Sequence, residues 1–285
     1  MSDQTTVNES APKLRPTQLR IPAIVLAVLG LALMGAGISK LLYGMTGPGF
    51  GVAFMGAVLF GLSFISLPVP TGDKAPEAKG TFDRLTGIFF EPTAVFQSLR
   101  FHPNWVAAFL VIALLNAAYV AAFTQRVTAE RIINYTVDKM AETPFIPAEA
   151  VEKARDQGLQ DAKSTTKKVG NAISSMVGIF CFMCFLAALY LVALLAFGGR
   201  INFWQALSVA MFAALPPIVI SKVISFVLLY IKSPDDIHPL MGQETLLQDN
   251  LGVLLSPKDH PVLFVTATSI GLLSFYKLWL VAKGL

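Results

Sequence analysis

Charge is what this sequence has least of. Only 14% of its 285 residues are Asp, Glu, Lys or Arg and 54% are apolar, where a soluble domain carries about 25% charge. The mean hydropathy is +0.63. So few charges cannot wet a globular surface, which excludes a soluble domain. Disorder is excluded by the apolar content, and coiled coil or collagen by the lack of a repeat. What remains is an all-α, polytopic transmembrane helix bundle.

Cysteine and histidine are also scarce, with two and three copies. Cys181 and Cys184 have the C-x-x-C spacing of redox and zinc motifs. They sit in Phe180-Cys181-Phe182-Met183-Cys184-Phe185 with no acid or histidine beside them, so we read them as small packing residues. The histidines, His102, His238 and His260, lie at the edges of apolar runs. No H-E-x-x-H, G-x-S-x-G or Gly-rich phosphate loop occurs. The net charge of +4 comes from dispersed bases, which argues against nucleic acid. No cofactor and no metal is expected. Asp235, Asp236, His238, Asp259 and His260 share one loop, but their spacing matches no metal site and Pro234, Pro239 and Pro261 mark the loop as exposed.

Six apolar runs are present: 22–43, 50–67, 104–123, 172–197, 203–231 and 261–281. Each approaches or exceeds the roughly 18–20 residues that carry a helix across about 30 Å of hydrocarbon. Their continuity favours helices over the alternating strands of a barrel. The first run is too long for a secretory h-region and is expected to be an uncleaved span. None of the 18 acidic residues falls inside a run. Proton-coupled carriers and intramembrane aspartyl proteases need such carboxylates, so both classes are disfavoured, as is any enzyme.

This gives a polar tail (1–21), a transmembrane hairpin (22–67), a Pro- and Gly-rich linker (68–80) and a membrane domain (81–285). Ala53, Ala57 and Gly61 repeat at i+4 on the second run, a pattern for close packing within the hairpin or, alternatively, in a homo-oligomer. Residues 81–101 are expected to form an interfacial amphipathic helix broken at Pro92. Its apolar side is Phe82, Leu85, Phe89, Phe96 and Leu99, with Arg84, Glu91 and Arg100 in water. Segment 124–170 holds eight bases and seven acids and is expected to be a helical extramembrane piece. The base count puts both termini inside, with 124–170 discordant because its bases favour the inside.

The fifth run carries Pro216-Pro217 near its middle and is expected to break there. Lys222 follows five residues later. A lysine at the bilayer centre costs about 2.5–3.5 kcal/mol, which points either to an anionic-ligand or lipid-headgroup contact or to snorkelling. Asn116, in the third run, is expected to bond a neighbouring helix, with a ligand or lipid contact as the alternative.

From about residue 82 onward the chain resembles the Yip family of membrane proteins (Ypt/Rab-interacting), in its bacterial branch. The opening is Gly87-Ile88-Phe89-Phe90-Glu91-Pro92-Thr93-Ala94-Val95-Phe96 followed by His102-Pro103-Asn104-Trp105. The centre is Gly199-Arg200-Ile201-Asn202-Phe203-Trp204-Gln205-Ala206-Leu207 and then Leu215-Pro216-Pro217. The close is Asn250-Leu251-Gly252-Val253-Leu254-Leu255 and then Ser274 to Trp279. The family has five core spans where four runs follow residue 100 here, and Leu246–Leu255 or the broken fifth run is expected to supply the difference. Ser274 stands where the family often carries an acid. In eukaryotes the family resembles non-enzymatic Golgi and endoplasmic-reticulum proteins that bind Rab GTPases. The resemblance implies the fold and a non-catalytic role in a bacterial inner membrane, organising protein or lipid partners, and no GTPase-binding residues. The alternative is a small-solute or lipid carrier centred on Lys222 and Pro216-Pro217.

Overall fold

The computed structural model describes residues 14–68, 78–143, 145–254, 261–268 and 270–285. Asp259, His260 and most of the linker 68–80 lie outside them. Twelve α-helices make up most of the described chain, and the fold is an all-α bundle. Two two-residue strands, β1 (Leu14–Arg15) and β2 (Leu67–Pro68), pair antiparallel and clip the ends of the first hairpin together.

That hairpin is α1 (Arg20–Ile38) and α2 (Thr46–Leu62). Its backbones nearly touch. A Cβ on Gly30 would lie 2.1 Å from the Ala53 nitrogen, and one on Gly56 would lie 2.4 Å from the Ala27 nitrogen. Only glycine permits that approach, which yields dispersion and Cα–H···O contacts in place of a hydrophobic drive. The contact face is Gly49, Ala53 and Gly56 rather than the expected Ala53, Ala57 and Gly61. Ala57 and Gly61 point outward, because the i+4 spacing drifts off the helix face that α1 occupies.

Next come α3 (Thr81–Phe90) and α4 (Pro92–Phe101), separated at Glu91 as Pro92 requires. They are not a surface helix with its apolar side in lipid. Ile88, Val95, Phe96 and Leu99 are buried inside the protein, in one cluster with α5 and α9. Phe96 and Leu99 are therefore core residues, Leu85 and Phe89 pack partly buried against the same core, and only Phe82 is exposed. Arg84 is buried too, against expectation. It donates from Nη1 to the His102 carbonyl at 3.1 Å, tying α3 to the end of α4. Burial lowers its pKa from the ordinary arginine value.

Four helices are long and apolar enough to cross a membrane: α1, α5 (Val106–Val127), α8 (Thr165–Ala196) and α9 (Phe203–Ile231). The 17-residue α2 is shorter and packs beside α1 and α8. Between α5 and α8, α6 (Ala129–Ala141) and α7 (Ala148–Lys163) fold against each other as the polar helical piece. Ser164 caps α8 by accepting from the Lys167 amide.

α9 is the hub. Every residue from Phe203 to Pro217 except Gln205 is buried, against α3, α4, α5, α8 and α12. Asn202 and Gln205 close a capping box at its start. The expected break at Pro216-Pro217 does not occur; α9 is one uninterrupted helix. The two prolines withhold the amides that would bond the carbonyls of residues 212 and 213. Those carbonyls sit in a fully packed bundle, whose contacts hold the helix through the lesion.

The break occurs instead in the sixth run, which was expected to be continuous. It is split into α11 (Pro261–Thr268) and α12 (Leu272–Gly284). Between them Gly271 pairs with Asn250 in an isolated bridge.

The two ends of the bundle are well sorted. The tip of the α1–α2 hairpin meets the start of α8, with Lys167 over the Tyr43 ring at 5.4 Å. At the same end Arg131 of α6 meets the loop after α9. At the opposite end Trp204 donates to the Ile65 carbonyl and Gln205 to the Arg100 carbonyl. Residues 44–49, 124–170 and 232–238 thus share one end of the bundle.

Candidate functional site

The chain leaves α9 at Lys232 and returns along it. Arg131 starts the return. Its guanidinium donates to the carbonyls of Pro234, Asp235 and Ile237, and it pairs with the Asp235 carboxylate at 3.6 Å. His238 continues it. Its Nδ1 accepts from the amides of Leu240 and Met241, each at 3.2 Å. A ring nitrogen that accepts carries no proton, so Nε2 is the protonated one and donates to the Tyr135 oxygen at 3.0 Å. The turn so fixed is α10 (Met241–Glu244). Gly242 lies against the Phe123 ring, where a Cβ would approach to 2.7 Å.

Beyond α10 the loop reaches Lys222. Lys222 lies nine residues before the end of α9, about 14 Å in from it at 1.5 Å per residue. It is buried. Its ammonium donates to the Glu244 carbonyl and stands 4.3 Å from the centroid of the Tyr119 ring. The Tyr119 hydroxyl donates to the Gly242 carbonyl at 2.6 Å. Thr245 Oγ1 lies 3.0 Å from both Ser221 Oγ and Ser225 Oγ. Ser225 Oγ also accepts from the Leu246 amide at 3.0 Å. Ser225 is a neighbour of both Ser221 and Lys222 on the surface of α9, because it lies four residues after the one and three after the other.

The same loop then caps α12. The Asp249 carbonyl accepts from the Leu272 amide at 3.2 Å, and Asp249 Oδ2 accepts from the Leu273 amide at 2.8 Å. These amides are the open donors at the start of a helix. A Cβ on Gly271 would meet Asp249 atoms at 3.2–3.3 Å. At its other end, α12 places Gly284 beside Val209 and Phe96. Twelve residues, about 18 Å of helix, then bring its start to roughly the Lys222 level of α9. One loop, 241–250, thus joins a buried lysine to an interrupted helix within the bundle.

Magnitudes indicate what this seam does. Burying Lys222 costs about 2.5–3.5 kcal/mol. A charge-assisted hydrogen bond returns about 1.5–3 kcal/mol and a desolvated cation–π contact about 2 kcal/mol. The protein's own groups therefore offset the cost without a ligand. Lys222 neither snorkels to an interface nor faces lipid. Asn116 meets its expectation, donating to Ser175 Oγ on α8 at 3.4 Å. Pro216 and Pro217 are buried on α9 above this seam and contribute no polar group to it.

The seam unites Lys222 with residues that sequence reasoning passed over: Tyr119, Ser225, Thr245 and Asp249. Ser221 joins them through Thr245. The pattern Ser221-Lys222-x-x-Ser225 on an apolar run, with Tyr119 on another, was the signal available. Among the described residues no group of acids, histidines and cysteines has the arrangement of a metal site.

A family model, described as the Yip1 domain, matches residues 86–285. No curated protein and no solved structure matches the chain.

Proposed function

Taking as premise that the chain belongs to the Yip1 domain family, we propose that it is a non-catalytic membrane organiser of a bacterial inner membrane that gathers protein or lipid partners. The carrying observation is Phe145. It lies in the turn between α6 and α7, on the most charged part of the chain, and is 92% exposed. Beside it a notch of about 330 Å³ is lined by Ala141, Ile146, Ala148, Val151, Glu152 and Arg155. Phe145 together with Ile146, Ala148 and Val151 makes an apolar patch on a polar hairpin outside the apolar runs, and we read that patch as a contact for a partner. The interior, by contrast, is spent on holding itself together: the Lys222 seam is closed by the protein's own carbonyls and hydroxyls. The test is site-specific photocross-linking from position 145 in intact membranes. Discrete cross-linked partners that vanish with Val151→Glu support this reading, and an absence of cross-links at unchanged membrane levels contradicts it.

A second reading, a small-solute or lipid carrier, has one observation in its favour: a buried lysine at the level where α12 is interrupted, the arrangement by which broken helices line solute paths. Lys222→Met in reconstituted vesicles separates the two. The carrier reading requires loss of flux; the organiser reading requires no flux before or after.

A further inference from the structure

At the end of the bundle opposite the seam, three cations from distant parts of the chain converge on one cavity. Arg100 comes from the end of α4, Arg200 from the turn between α8 and α9, and Lys283 from the last turn of α12. The cavity has a volume of about 320 Å³. All three side chains are exposed, and none has an ion-pair partner among the described residues. No Asp or Glu lines the cavity. Gln97 adds a carboxamide that makes no hydrogen bond among the described residues, and Leu194 and Val209 supply an apolar wall.

Bias of bases toward one membrane face explains cations at this end. It does not explain their convergence on a cavity, for which dispersed loops serve equally well. The cavity is also held in shape. Gln205 donates to the Arg100 carbonyl at 2.6 Å, which fixes α4 to the start of α9. Its apolar side is continuous with the helices that carry the exposed residues Leu195 and Leu278, 53% and 61% accessible. A ligand with a negative head and a hydrocarbon body fits this combination.

We infer that this cavity binds the phosphate-bearing headgroup of an anionic phospholipid, with Arg100, Arg200 and Lys283 on the phosphate and Gln97 on the polar head. Guanidinium groups suit phosphate oxygens by their paired donors. The site is separate from both Phe145 and Lys222, so it stands or falls independently of the proposed function. A free phosphate shares the same chemistry, but it has no use for the apolar wall.

The test is a titration of the purified full chain in mild detergent with short-chain phosphatidylglycerol, short-chain phosphatidylcholine and inorganic phosphate. Saturable binding of phosphatidylglycerol is expected at about tenfold higher affinity than phosphatidylcholine. The triple variant Arg100→Gln, Arg200→Gln, Lys283→Gln loses that preference. The charge-matched variant Lys163→Gln, Lys168→Gln, Lys232→Gln, at the other end of the bundle, retains it. Arg200→Gln alone, in an exposed turn, weakens it about threefold, a readout that survives should the triple variant misfold. Equal binding of the two lipids, or a triple variant that binds like the unaltered chain, overturns the site. Displacement of phosphatidylglycerol by equimolar inorganic phosphate overturns the lipid as its occupant.

Discussion

α9 and the α11–α12 pair are both apolar, both carry a helix-breaking residue, and behave oppositely. α9 runs unbroken through two prolines. The α11–α12 segment stops short of Gly271, whose cost in a helix is far smaller than that of proline. The difference lies in which backbone groups are left over. A proline has no amide to orphan; it strands only a carbonyl, and buried carbonyls tolerate poor satisfaction better than buried amides. A helix that restarts at Leu272 presents open amides, and these need an acceptor in surroundings without water. Asp249 supplies it. Inside an apolar bundle the helix therefore breaks where the rest of the chain brings an acceptor, and holds where neighbours fill the space around it.

Four variants break or sharpen this comparison. Asp249→Leu has the largest expected effect. It removes the acceptor of the Leu273 amide and should cost about 2–3 kcal/mol, read as a lower midpoint of thermal unfolding in detergent with faster exchange of the Leu273 amide; an unchanged midpoint would show that the break does not need its acceptor. Lys222→Met leaves the Glu244 carbonyl unpaired while removing a costly buried charge, so global stability should move by less than about 1 kcal/mol. The loop should loosen locally, with amides of Leu246 and Leu247 exchanging about tenfold faster. A large global loss would mean that the lysine holds more than the loop. Ser225→Ala withdraws the partner of the Leu246 amide and should cost about 1 kcal/mol, measurable by the same exchange at Leu246 alone. Pro216→Ala with Pro217→Ala restores two donors to α9 and should change stability by less than about 1 kcal/mol. A large change of either sign would show that the prolines shape the helix.

The sequence made the class of fold plain because hydrophobic length is a direct physical requirement of a bilayer. Runs 104–123, 172–197 and 203–231 each contain the body of one long helix. Asn116 was readable for a similar reason, since a carboxamide in an apolar run has to find another helix. What could not be read was tertiary. Phe96 and Leu99 have the spacing of a lipid-facing stripe, and nothing local distinguishes a stripe buried in protein from one buried in lipid. Pro216-Pro217 looks like a break to any local rule, because the packing that overrides it comes from five other helices. The Lys222 seam depends on a loop that turns back about 14 Å, and the residues that turn it, Arg131 and His238, are separated from Lys222 by loops and helices. Excluding carboxylates from the apolar runs was correct as a count. Yet Asp249, half-buried, reaches the start of α12, because a loop carries it there and no span needs to contain it.

The Lys222 seam satisfies its own polar groups. Hydrogen–deuterium exchange of the full chain in lipid nanodiscs tests this most directly. The amides of Leu246, Leu272 and Leu273 should be protected to a degree comparable with those in the buried half of α9. Exchange of these three at the rate of an open, solvated loop would contradict it.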